Sequence, residues 1–184
     1  MPLSHDDASE ALREIDRTQQ RSSRLYGYSN ASPHLIVWGI AWMIGYGASY
    51  FQPSWHFVWP ILIVAGAAAS FWFGMRAGPK SNASDYGWRY VVTFFVIFFF
   101  IGAVMFVVKP TSDAQVGAFI PLIIAFFYCL IGVWGRAWRM LITGVVLAVL
   151  TLVGFFMLRE YFALWMAVVG GGGLILGGLW LRAA

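Results

Sequence analysis

Between Arg89 and Lys109 the chain runs YVVTFFVIFFFIGAVMFVV without a charge, and five other stretches repeat that pattern of a long apolar block closed by short polar segments. The blocks cover about His34 to Phe51, Phe57 to Met75, Tyr90 to Val108, Val116 to Trp134, Met140 to Leu158 and Tyr161 to Leu181. A bilayer core about 30 Å thick needs about 20 apolar residues per helix, so each block predicts one transmembrane helix. Runs such as FFVIFFFIG do not alternate apolar with polar residues, which argues against a transmembrane barrel. The pattern predicts an all-α integral membrane protein: a six-transmembrane-helix bundle over 34–184, preceded by a tail, 1–33, with a short cytoplasmic amphipathic helix.

Composition agrees, with 60% apolar and 18% aromatic residues in 184, too little polar surface for a water-soluble domain. All twelve cations and eight acids lie outside the apolar blocks. Their distribution supplies an orientation. If the spans alternate, Arg13, Arg17, Arg21, Arg24, Arg76, Lys80, Arg89, Arg136, Arg139 and Arg182 share one side, and only Lys109 and Arg159 occupy the other. Under the positive-inside rule both termini are cytoplasmic. Topology thus accounts for the net charge of +4, and nucleic acid is not an expected partner. The stretches LIVWGIAWMIGYG and VVGGGGLILGGLWLR resemble those of small bacterial membrane proteins, which implies a bacterial cytoplasmic (inner) membrane. No small-x-small cleavage motif follows the first apolar run, so the first span is expected to be the targeting element.

The hydrophilic tail predicts a helix from Ser9 to Leu25, with Ser9 as N-cap and no Gly or Pro before Gly27. Arg13, Arg17, Arg21 and Arg24, spaced by four, four and three, line one face of it. This stripe suits anionic lipid headgroups or a protein partner, while Asp6, Asp7, Glu10 and Glu14 suit a basic protein surface. Pro33 disfavours helical geometry at Ser32, so SNASPH is expected to separate this helix from the first span. The segment RAGPKSNASDYGWR is expected to be a mobile loop, and Pro121 is expected to kink the fourth span or to mark its start.

Lipid does not drive helices together by hydrophobicity, so close packing relies on small residues. Gly66, Ser70 and Gly74 recur every four residues in the second span; in the sixth, Gly170 heads a run of four glycines and Gly173 and Gly177 form a G-x-x-x-G pair. Four consecutive glycines disfavour a helix, which calls for tight packing against another span or another copy of the chain in a homo-oligomer, or else for a functional helix break.

The spans hold no carboxylate, His or Lys of the kind that relays protons in transporters. They also lack the serine–histidine, paired-aspartate or H-E-x-x-H sets of intramembrane hydrolysis. No catalytic residue, metal or cofactor is assigned. His34 and His56 flank the first span about 33 Å apart, too far to share one haem or metal within a chain, and the lone Cys129 excludes an internal disulfide. His34, Asp85, Arg89, Arg136 and Arg139 are candidates for a cytoplasmic anion site. The expected role is that of an accessory or regulatory interaction subunit that contacts a cytoplasmic or membrane partner through its N-terminal helix. The alternative is a small permease or channel for an uncharged or apolar solute, lined by hydroxyls such as Ser49, Ser70, Thr143, Thr151, Tyr46 and Tyr128.

Overall fold

A computed structural model describes residues 5–55, 57–77 and 83–183. Among them the regular structure is helical, with no strand: α1 (His5–Phe51), α2 (Val58–Ala77), α3 (Ala83–Val108), α4 (Asp113–Trp134), α5 (Trp138–Met157) and α6 (Arg159–Arg182). The last begins as a 3-10 turn, passes through a π-helical stretch at Met166–Gly171 and resumes α geometry over Gly172–Arg182. Four helices are long and apolar enough to cross a membrane: Val58–Arg76, Asp113–Trp134, Trp138–Met157 and Arg159–Arg182. The apolar part of α3, Phe95–Val108, is shorter.

Two expected breaks are absent. The chain stays helical through SNASPH, so α1 is one helix of 47 residues and about 70 Å. Proline removes its own N–H from the ladder and crowds the carbonyl four residues back, and that carbonyl, of Ser29, belongs to an exposed residue that water can reach. On either side of Pro33, Tyr28, Ser32 and Leu35 are buried, which holds both segments in register. Similarly, α3 begins at Ala83, so the second half of the expected loop is its first turns; Lys80 and Asn82 lie outside the described residues, as does His56.

Helices α1, α4, α5 and α6 form the packed body. At the end from which α1 extends, here the tail end, Tyr28, Leu35, Ala137, Met140 and Leu181 make one buried cluster. Toward the far end a second gathers Trp42, Tyr46, Ala125, Leu147, Phe162, Met166 and Leu174. Helix α2 packs on α1 and α3 on α2, both at the periphery. Gly66 is the one buried residue among those described in α2, and Phe95, Phe99 and Phe106 of α3 are largely exposed, Phe99 by 80%. Rings so placed would be costly in water and are at home in lipid.

Helices α1 and α6 approach each other closely. A Cβ built on Gly39 would lie 2.7 Å from the Gly171 carbonyl oxygen, and one on Gly171 would lie 2.8 Å from that of Gly39. Seven residues away on each helix, a Cβ on Gly178 would lie 3.0 Å from the Ser32 carbonyl oxygen. Small residues two turns apart on both partners thus let the two backbones touch twice. Helices α4 and α5 use the same device, with Gly132 against the Leu141 backbone and Gly144 against the Ala125 carbonyl.

Pro121 sits inside α4 rather than at its start. It leaves the Gly117 carbonyl, one turn earlier, without its helical donor. The hydroxyl of Tyr46 on α1 donates to that oxygen at 2.6 Å. Replacing Tyr46 with Phe is expected to cost about 1 kcal/mol, measured by reversible detergent unfolding followed by circular dichroism. In a Pro121→Ala background the restored N–H serves Gly117, so the same replacement is expected to cost less.

Candidate functional site

The polar groups inside the body are consumed by the helices themselves. Ser49, Thr143 and Thr151 donate to the carbonyls of Gly45, Arg139 and Leu147, each four residues back, at 2.9, 2.8 and 2.7 Å. Trp165 donates its indole N–H to the Leu150 carbonyl at 2.8 Å. Gly154 makes room for it, since a Cβ there would collide with the indole ring. Among the described residues no buried side-chain nitrogen or oxygen lacks a partner. No group of three His, Cys, Asp or Glu residues stands close enough to hold a metal.

Between α1 and α2 the same small motif is used twice and reciprocally. Trp38 of α1 rests on Gly66 of α2, its ring 3.3 Å from where a Cβ would be, and its N–H donates to Ser70 at 3.2 Å. Trp59 of α2 rests on Gly45 of α1 and donates to Ser49 at 3.1 Å. Each G-x-x-x-S pair provides a flat floor and, one turn on, an acceptor for an indole. Gly66 and Ser70 therefore serve a ring rather than a backbone, and Gly74 is half-buried one turn further.

On α6 the glycines divide. Gly170 lies against Met166 and Trp42, and Gly177 against Thr143 and Leu35, whereas a Cβ on Gly173 or Gly172 would meet nothing within 4 Å. The contacts with the α1 backbone fall on Gly171 and Gly178, one residue beyond Gly170 and Gly177. The π-helical stretch accounts for part of this offset: it adds residues per turn and turns the side chains that follow away from the positions a uniform 3.6-residue period predicts.

The anion-site candidates separate likewise. The Arg139 side chain donates to the Trp180 carbonyl at 2.5 Å, with its guanidinium 5.1 Å from the Trp180 ring and 5.9 Å from that of Tyr28. It caps a carbonyl in the last turn of α6. Arg136 is exposed and adopts φ of 49°, the left-handed position that ends α4. Its N–H bonds the Val133 carbonyl at 3.2 Å and that of Ala137 bonds Gly132 at 2.8 Å, completing a Schellman turn. His34 is half-buried in α1, without a hydrogen bond to either arginine. The side chains of Asp85 and Arg89 lie outside the described residues.

In the tail Arg13 is exposed, and the side chains of Arg17, Arg21 and Arg24 lie outside the described residues. Every described side chain before Tyr28 is exposed: Glu10, Arg13, Glu14, Ile15, Thr18, Gln19, Ser22 and Leu25. At the far end, a cleft of about 290 Å³ opens between the end of α3 and the start of α4, lined by the apolar Val104, Met105, Val108 and Phe119 and by Lys109, Pro110, Thr111 and Gln115.

Sequence reasoning missed Gly39, Gly45, Trp38, Trp59 and the Tyr46–Gly117 bond. Two signals were present: the spacing G-x-x-x-S occurs at both 45–49 and 66–70, and Gly117 stands four residues before Pro121.

Comparison with protein-family models, curated proteins and solved structures gave no match.

The division of the α6 glycines gives an expected contrast. Gly171→Ala should destabilise the protein by about 1–3 kcal/mol through backbone overpacking, whereas Gly173→Ala should be neutral or stabilise by up to about 1 kcal/mol through helix propensity. Detergent unfolding of the two variants side by side measures it.

Proposed function

We propose that this protein is a six-span subunit of a bacterial cytoplasmic membrane, with both termini cytoplasmic, that works by interaction through the free half of α1. The observation that carries the reading is this helix: it is continuous with the first span, and every described side chain before Tyr28 faces away from the rest of the chain. Once 28–51 is packed, helix growth toward the N-terminus needs no new nucleus. A helix that continues beyond the packed body and buries none of its described side chains is suited to a partner.

The six-span count draws on the four long apolar helices, on Phe95–Val108 of α3 and on the apolar second half of α1. The ten-to-two division of cations supports the orientation. The tail offers two chemistries in series, acids at its tip for a basic protein surface and, nearer the bilayer, arginines for anionic headgroups. The body argues against the permease reading, because the hydroxyls of Ser49, Thr143 and Thr151 bond to their own helices, that of Tyr46 is taken up by the Gly117 carbonyl, and aromatic side chains fill its far half.

Full-length protein carrying a photoreactive residue at Ile15, an exposed apolar position, is expected to give a discrete protein adduct in cells. The same label at Phe99 on α3 is expected to give lipid adducts. If a chain lacking residues 1–25 recovers the same proteins as the intact chain, the tail is not the contact and the reading fails.

A further inference from the structure

The far-end cleft has the make-up of a lipid site. Its wall is Val104, Met105 and Val108 from α3 and Phe119 from α4. Beside it Phe106, Val107 and Val108 are exposed by 77%, 79% and 63%, so apolar surface surrounds the end of α3. The rest of the lining is Lys109, Pro110, Thr111 and Gln115, and the Lys109 ammonium lies 6.0 Å from the centre of the neighbouring Phe106 ring. Oε1 of Gln115 accepts from the backbone N–H of Thr111 at 2.7 Å and from its hydroxyl at 3.2 Å. That leaves the Gln115 amide nitrogen as a donor in the lining.

Lys109 closes α3 in the left-handed conformation, with φ of 45° and its N–H on the Met105 carbonyl at 2.9 Å. Glycine usually occupies this helix-ending position because a side chain there is strained. Pro110 adds to the strain, since a residue before proline favours extended geometry. The chain nevertheless places a lysine here, on the side that holds only one other cation, Arg159, in the orientation proposed above. Asp113 is exposed and does not line the cleft.

We propose that this cleft binds one anionic phospholipid, with part of an acyl chain against Val104, Met105, Val108 and Phe119 and the phosphate on the Lys109 ammonium and the Gln115 amide. Zwitterionic lipids fill the apolar wall equally well but carry a cationic group that opposes Lys109. The selectivity therefore lies in the charge of Lys109. The inference rests on the membrane reading but not on the tail's having a partner, so it survives failure of the cross-linking test.

The test uses the full-length chain in detergent, with phosphatidylglycerol and phosphatidylcholine of matched acyl chains competing for it and bound lipid counted by native mass spectrometry. The intact protein is expected to retain phosphatidylglycerol preferentially. Lys109→Gly keeps the left-handed backbone and removes the charge, and is expected to reduce that preference about fivefold, the effect of one surface cation. Lys109→Arg should preserve it. Met105→Trp should fill the cleft and lose both lipids, and Arg159→Ala should leave the preference unchanged. The proposal is overturned if Lys109→Gly retains the full preference, if Arg159→Ala lowers it equally, or if glycerol phosphate displaces the lipid at equal concentration, which would mark a site for free anions.

Discussion

A carbonyl that loses its helical donor inside a membrane has no water to turn to, and this constraint shapes the body of the protein. Pro121 creates such an oxygen at Gly117, and a tyrosine from another helix meets it. The end of α6 creates another at Trp180, which a guanidinium from α5 meets. The indole of Trp165 reaches back across a hairpin and adds a donor to the mid-helix carbonyl of Leu150. Each bond joins two helices, so satisfying the backbone also fixes the order in which helices pack. Van der Waals contact could hold many arrangements of these apolar cylinders; a donor aimed at one particular oxygen admits few.

Glycine serves the same end from the opposite direction. At Gly39 and Gly171 it lets two backbones meet; at Gly45, Gly66 and Gly154 it makes room for an indole whose N–H then finds an acceptor. Tryptophan adds more contact area than any other side chain but brings one donor that must be placed. Pairing each of these rings with a glycine and an oxygen meets both needs, and it explains how an interior whose described side chains are uncharged is still specific.

The all-helical character was legible in the sequence because the apolar blocks are long and their ends carry charge or turn-forming residues; four of the helices are long and apolar enough to cross a membrane. The predicted blocks 116–134 and 140–158 fall within three residues of α4 and α5. Local breaker signals misled in two places. Pro33 and the Gly, Ser and Asn around it argue for a loop, but burial of Tyr28, Ser32 and Leu35 outweighs a missing hydrogen bond. The start of α3 at Ala83 follows the same logic, since a single Gly87 weakens a helix without ending it. For the glycines, spacing of four identified the small-residue helices but not the facing residues, because Met166–Gly171 departs from the α period. The cleft by Lys109 was invisible, as it depends on where two non-adjacent ends meet.

The unbroken α1 has a mechanical consequence. Because its backbone touches α6 at Ser32 and Gly39, the helix is anchored in the packed body, while every described side chain before Tyr28 is exposed. At 1.5 Å per residue Glu10 lies about 33 Å beyond Ser32, so a tilt of about 5° at the pivot would sweep the tip by about 3 Å. The same helix can thus act as a lever, turning a small displacement among the membrane spans into one large enough to make or break contacts at its far end.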